Sequence, residues 1–269
     1  MSNLFKQIIF IVSLYSCISL HAQLQLNKIS GTEGLSQNTI KSIIQDRNGF
    51  IWVGTYNGIN KYDGYSMVHY KFLNDVNSLS SNIIISLFED KDGYIWAGTT
   101  NAGLNRIDPR TGKVEVYFDD PNAPDYASEI DHIYQSPSGV LFIKTSKGIK
   151  FFRVAVDGRL IFEDVINDSN NFGLRIKNII PAADGNHWFF TPENNIKLHL
   201  AEINEITNVP DIKIQSTDIK AFEFDSSYPV NFIEYPKNTI WVISNRLQLL
   251  KIQLNNQLQV IDRELISLS

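Results

Sequence analysis

The chain has 269 residues, 43% of them hydrophobic and 20% charged, with a net charge of −5. That composition supplies a sizeable core and excludes a disordered, charge-dominated chain. The acidity is spread along the chain with no basic stripe, which argues against nucleic acid or an anionic membrane as partner.

The first element is a leader. Lys6 precedes an apolar run from Ile8 to Leu20, then His21-Ala22-Gln23; this reads as a secretory signal peptide over residues 1–22. The run falls short of the about 20 residues that a bilayer requires. Cys17, the single cysteine, lies inside it. Leu14-Tyr-Ser-Cys17 is faintly like a lipoprotein box, but Tyr15 is too bulky, so lipidation is the lesser reading. Cleavage after Ala22 leaves 23 cations against 29 acids, net −6, and no cysteine for a disulfide. No apolar run of 18 or more residues follows, so no membrane span is expected, and a periplasmic location is.

Residues 23–269 then carry a recurring aromatic. Trp52, Trp96, Phe142, Trp188 and Trp241 are spaced by 44, 46, 46 and 53 residues. Such a period indicates a solenoid or a propeller. The segments Leu35 to Thr55 and Leu79 to Thr99 agree at Leu, Ser, Asn, Ile, Asp, Gly, Ile, Trp, Gly and Thr in one register. Each unit reads as four strands. In the first, Ile40 to Asp46 precedes a turn closing on Gly49, where Asp and Asn bond the backbone ahead and Gly supplies positive φ. Phe50 to Thr55 follows and is apolar on both faces, as in a sheet covered on both sides. Asn57-Gly58 signals a hairpin into Ile59 to Tyr62, and Asp63-Gly64 leads to Met67 to Tyr70. In the second unit Ile84 to Asp90 and Tyr94 to Thr99 repeat the first two strands.

Later units are weaker. Phe151 to Val156 and Leu160 to Phe162 flank Asp157-Gly158, and Leu249 to Leu254 and Leu258 to Ile261 flank Asn255-Asn256. The last stretch also fits a helix by its leucine spacing, but the Asn-Asn interruption favours a hairpin. Four strands per unit of about 45 residues describe a β-propeller blade. The expected fold is all-β, with repeats at about 35–78, 79–125, 126–172, 173–225 and 226–269. These make either a closed ring of about five blades or a truncated, incomplete seven-bladed propeller, with truncation preferred. The aromatics are expected to pack between neighbouring blades, with Gly54 and Gly98 admitting a neighbouring backbone. Leu24 to Asn27 is the natural strand to complete the final blade. Truncation would leave free edges and thus self-association.

Over Ser36 to Gly64 and Ser80 to Asp108 the pattern L-S-x-N-x-I-x-x-I-x-x-D-x-x-G-x-I-W-x-G-T strongly resembles the two-component regulator propeller repeat. The resemblance implies the extracytoplasmic sensor of a hybrid two-component regulator, as found in gut Bacteroidetes. It also implies tandem propellers, a β-sandwich, a membrane helix and a histidine kinase elsewhere, and often a response to polysaccharide breakdown products. The chain departs from the pattern at Lys144, Phe189-Phe190 and Ile243-Ser244, and it shows no kinase segment. Trp-Asp and Gly-Gly signatures of other propellers are missing, and the single Asp108-x-x-Thr-Gly112 reads as an ordinary turn.

Candidate site residues follow from the scaffold, since loops on rigid scaffolds carry function. The hairpins between second and third strands hold Tyr56, Asn57, Thr100, Asn101, Ser146 and Lys147. A flat ring with an amide suits a sugar's C–H face and its hydroxyls. Tyr62, Tyr65 and Tyr70 read as blade packing. Asp90-Lys-Asp92-Gly93 looks like the start of a calcium loop, but it lacks the remaining ligands and reads as a turn. His69, His132, His187 and His199 are scattered, so no metal or other cofactor is expected. Ser36 and Ser80 lack a nucleophile elbow. The expected function is a ligand-sensing module, not an enzyme, whose partners are an oligosaccharide or other small ligand and further blades or sensor domains of a longer receptor. The alternatives are a propeller enzyme of the polysaccharide lyase or glycosidase kind, and a non-signalling fragment or scaffold.

Overall fold

The structure is a computed structural model that describes residues 31, 34–120, 122, 129–137, 139–145, 148–167, 178–181, 187–192, 196–204, 211–219, 229–244 and 248–267. The leader and the strand expected at Leu24 to Asn27 lie outside these residues.

The first hairpin starts from one carboxylate. Asp46 Oδ1 accepts the Asn48 and Phe50 backbone N–H groups at 2.9 and 3.0 Å, and Gly49 closes the turn at φ 89°. Asp90 and Gly93 repeat this for the second unit, so the calcium-like stretch is a turn. Strands β1 (Ile40–Gln45), β2 (Ile51–Thr55), β3 (Gly58–Tyr62) and β4 (Met67–Tyr70) make the first sheet. The second holds β5 (Ile84–Glu89), β6 (Ile95–Thr99), β7 (Leu104–Ile107) and β8 (Val114–Tyr117). The third holds β9 (His132–Gln135), β10 (Leu141–Thr145), β11 (Gly148–Val154) and β12 (Leu160–Asn167). The fourth holds β13 (Asn178–Pro181), β14 (His187–Pro192), β15 (Ile196–Asn204) and β16 (Asp211–Ile219). The fifth holds β17 (Pro229–Glu234), β18 (Thr239–Ser244), β19 (Gln248–Leu254) and β20 (Val260–Ser267).

All pairings are antiparallel and follow chain order. Sheets pack on their chain neighbours through first strands, β1 on β5, β5 on β9, β9 on β13 and β13 on β17. First strands innermost and fourth strands outermost is the arrangement of blades about an axis. The fold is a β-propeller with five blades described. The helical option for the C-terminal stretch gives way to the hairpin β19–β20, and Leu258, expected in the last strand, sits in its turn at φ 60°.

The core lies in the seams between blades. Trp52 is fully buried among Leu79, Ile84, Leu87 and Ile95 of the second blade, and Trp96 among Ile130, Ile133, Leu141 and Phe152 of the third. Phe142 is likewise buried, stacked between Tyr134 and Phe151. Trp188 lies on β14. Trp241 differs from the expectation: it remains partly exposed, with its indole N–H donating to Tyr235 O at 2.7 Å. A Cβ at Gly98 would collide with the Ile130 carbonyl, so a neighbouring backbone does come close there. At Gly54 the neighbour is instead the Ile84 side chain, 2.8 Å from such a Cβ. Tyr70 stacks on Trp52 at 5.5 Å. Tyr62 donates to Gly64 O, whereas Tyr65 is 98% exposed and packs on nothing.

Candidate functional site

The connection from β4 to β5 lies on the face that also carries the β2–β3 and β6–β7 hairpins. The connection after β4 is pinned at several points. Gly58 N–H donates to Asn82 O at 2.7 Å, and Asn82 Oδ1 accepts the Phe72 N–H at 2.9 Å. Ser78 N–H closes a turn on Asp75 O at 3.0 Å, while Leu79 is buried in the seam. Ser80 is held by Asn105, whose Oδ1 accepts the Ser80 N–H at 2.8 Å and whose Nδ2 donates to Ser80 Oγ at 2.9 Å. Asn60 holds Ser36 in the same way. Both serines are therefore clasps that fasten each blade's entry segment to its third strand.

Between this pinned connection and the second blade lies an open cleft of about 510 Å³, lined by Phe72, Asn74, Asp75, Val76, Ser78, Leu79, Ser80, Asn101, Ala102, Val116 and Asp119. Its volume falls in the small-ligand range. Phe72 is 45% exposed and Val76 89% exposed, and both line the cleft together with Asn74 and Asn101. Its charged lining residues are both acids, Asp75 and Asp119.

The candidates from the hairpins divide. Asn101 lines the cleft, and Thr100 precedes it, half-buried. Tyr56 is exposed under the Lys41 ammonium, 5.2 Å from its ring centroid. Asn57 spends its Nδ2 on Ser36 O at 3.1 Å, so its amide serves the clasp. Lys147 and Ser146 lie outside the described residues. Phe72 and Asn74, which also line the cleft, sit in a blade-to-blade connection rather than in a hairpin. The available signal was Phe72-Leu-Asn-Asp75 just after a strand.

The opposite face carries a smaller cavity of about 240 Å³ at the seam of the second and third blades, lined by residues that include Lys91, Arg106, Gln135 and Arg153. Arg106, 4% exposed, lies 3.6 Å from the Tyr94 ring centroid and pairs with Glu115 at 3.1 Å. Burial works to raise the Glu115 carboxyl, but Lys113, Arg106 and Tyr117 outweigh it and hold the group below its ordinary range. Tyr117 is pushed up to about 12 by burial and then by Glu115. These charges belong to the seam's own network.

The repeats also share a pairing not expected from the sequence. The indole N–H of Trp52 donates to Asp46 Oδ2 at 2.8 Å, and that of Trp96 to Asp90 Oδ2 at 2.7 Å. A cation stands across the strand from each ring, Lys61 and Arg106. His69 is exposed on β4 and His132 half-buried on β9, while His187 and His199 fall on β14 and β15. Among the described residues no group of three metal-ligating side chains forms.

The sequence model of the family described as two component regulator propeller matches residues 34–57 and 78–101. A histidine kinase, P4, of Formosa agariphila is 40% identical over 68 residues, which cover 23% of this chain and 5% of the kinase. The fold resembles the extracellular domain assigned to a hybrid two component system of B. thetaiotaomicron, at TM-score 0.65 and 20% identity. That match covers 87% of this chain and 30% of that one. A streptogramin B lyase is also similar, at TM-score 0.61 and 17% identity over 88% of this chain and 71% of the lyase. The chain thus spans under a third of the extracellular domain it resembles. The family's model covers one stretch in each of the first two blades.

Proposed function

We propose that this chain is an extracytoplasmic ligand-sensing module of a two-component system and that its ligand is a neutral oligosaccharide bound in the cleft beside Phe72. The cleft carries the reading: an exposed ring, two amides and two carboxylates line one concavity on a pinned connection. A ring covers the C–H face of a sugar, and amides and carboxylates take its hydroxyls. With Asp75 and Asp119 as the charged lining, uronates and sulfated sugars are repelled, which selects uncharged saccharides. Repeats matched by the regulator propeller family, and the similarity over 68 residues to the kinase of Formosa agariphila, support placing the module in signalling. The kinase activity would reside outside these 269 residues.

Calorimetric titration of the whole chain with a panel of neutral and acidic oligosaccharides tests this. Binding of a neutral member is expected, weakened by about tenfold or more in Phe72→Ala, with the melting temperature unchanged. Binding that ignores Phe72→Ala, or none across the panel, would remove the cleft from consideration. Turnover of a bound sugar would instead favour the enzymatic alternative, for which the lyase shows the scaffold to be suitable.

A further inference from the structure

The turns that meet across a seam repeat in sequence, so two seams can be compared position by position. Between the first and second blades, two cations are taken up by protein acceptors. Arg47 donates from Nε to Glu89 Oε1 at 2.6 Å, from Nη1 to Lys91 O at 2.9 Å and from Nη2 to Asp90 O. Lys61 Nζ lies over the Phe50 ring and donates to Pro109 O at 3.1 Å. That seam is closed by its own side chains.

Between the second and third blades, Lys91, Gln135 and Arg106 stand at the places of Arg47, Glu89 and Lys61. The carboxylate that held Arg47 has become an amide, whose Oε1 takes the Lys91 backbone N–H at 2.7 Å. Among the described residues the Lys91 ammonium has no acceptor; it lies over Gly139, where an added Cβ would sit 2.5 Å from Nζ. Arg106 is 4% exposed and gives Nη1 to Glu115, but its buried Nε has no acceptor among the described residues. A buried donor left without an acceptor is costly and rare. The third blade adds another cation. Thr55, Thr99 and Thr145 each donate from Oγ1 to the glycine opening the third strand, Gly58, Gly103 and Gly148. Counted from these glycines, Arg153 falls where the first two blades carry Asp63 and Asp108.

Where Arg47 closes the first seam, this one keeps the cavity of about 240 Å³, lined by Lys91, Arg106 and Arg153 together with Asp90 and Asp92. The acids do not cancel the cations. Asp90 Oδ1 accepts the Asp92 and Tyr94 N–H groups and Oδ2 the Trp96 indole, which leaves the exposed Asp92 as the acid outside the turn. We propose that this cavity is a binding site for a small oxyanion, a phosphate or a carboxylate, held between the second and third blades. Arg106 Nε and the Lys91 ammonium supply donors from one blade and the Arg153 guanidinium from the other. Guanidinium forks suit ligands that present two oxygens at once. The volume lies below the about 300 Å³ at which pockets for larger molecules begin, so a free ion or a small acid fits. Because both blades hold it, the bound ion stabilises the folded seam. This site is separate from the cleft beside Phe72, whose charged lining residues are both acids.

Thermal melts and calorimetric titration of the full chain with inorganic phosphate and with malonate test this, ionic strength being matched throughout with sodium chloride. A saturable rise in melting temperature with at least one of the two is expected. Saturation by phosphate alone assigns the site to a tetrahedral ion, and by malonate alone to a carboxylate; either supports it. General stabilisation by an excluded salt, in contrast, grows without saturating. Lys91→Gln should weaken the saturable binding by about tenfold or more. Lys91→Arg with Gln135→Glu installs the first seam's Arg47–Glu89 pair and should abolish binding at an unchanged or higher melt. No saturable effect of either ion overturns the proposal, and so does equal affinity in wild type and Lys91→Gln. If the double variant fails to fold, Lys91→Gln, at an exposed position, decides alone.

Discussion

Asp90 and Trp96 change together along the chain. Asp90 Oδ1 serves the turn by accepting Tyr94 N–H, and Oδ2 serves the indole. In the third blade Ser136 stands for Asp and Phe142 for Trp. Ser136 Oγ keeps the turn bond, to Val140 N–H at 3.1 Å, and Phe142 has no N–H to satisfy. In the fifth blade Tyr235 occupies the acid's place and accepts the Trp241 indole with its backbone carbonyl at 2.7 Å. The acid's turn role was legible from Asp-x-x-Gly. Its second role was not, because it depends on how an indole six residues later folds back, although the fixed spacing in both strong repeats carried the signal. A double-mutant cycle follows. Trp96→Phe leaves a buried carboxylate oxygen unpaired, while Asp90→Ser with Trp96→Phe reproduces the third blade's solution. The two changes should couple by about 1–3 kcal/mol in denaturant unfolding. Additivity within about 0.5 kcal/mol would show the indole bond to be incidental.

Strands were legible to within a residue or two where turn chemistry bounds them, as at Met67–Tyr70 and Ile84–Glu89. They were short where charged residues lie within the strand: β12 runs on through Glu163 and Asp164 to Asn167 and β20 through Asp262, Arg263 and Glu264 to Ser267, well past the expected Phe162 and Ile261. The binding elements were less legible, since a connection's depth depends on which backbone groups pin it, as Asn82 does for Phe72. The β7–β8 pair shows how an element's electrostatics becomes a measurable property. Arg106 opposes Glu115 in register, and Tyr117 donates to Gly158 O in the third blade at 2.7 Å. Burial, reinforced by Glu115, raises the Tyr117 hydroxyl from an ordinary 10.0 to about 12. The folded state thus holds this proton more tightly than the unfolded one. Its contribution is complete below pH 10 and is lost as pH rises through about 12. Unfolding free energy should decline over that window, and less steeply in Tyr117→Phe. Equal slopes would mean that the alkaline loss arises elsewhere.

At the scale of the whole molecule, stability is a sum over blades and seams in which each blade touches its neighbours. The aromatic spacing made the number of blades readable, whereas the occupancy of each seam required the structure. The second blade is covered on both sides: Trp52 packs against one face and the third blade's Ile130 and Ile133 against the other. Every residue of β6 is buried, while four of the six residues of β1 are exposed. Amide exchange reports this difference, because local opening is easiest where few apolar contacts must be broken. Ile95 to Thr99 should therefore exchange slowest among the first three blades, at least about tenfold slower than Ile40 to Gln45. Because β6 is hydrogen-bonded to strands on both sides and β1 to one, part of that gap arises within the sheet; β5, an innermost strand like β1 but with Ile84 and Leu87 buried, should also exchange more slowly than β1, and that difference reports the uncovered face. Uniform protection of the two strands in the free chain would show that the uncovered face costs the first blade nothing.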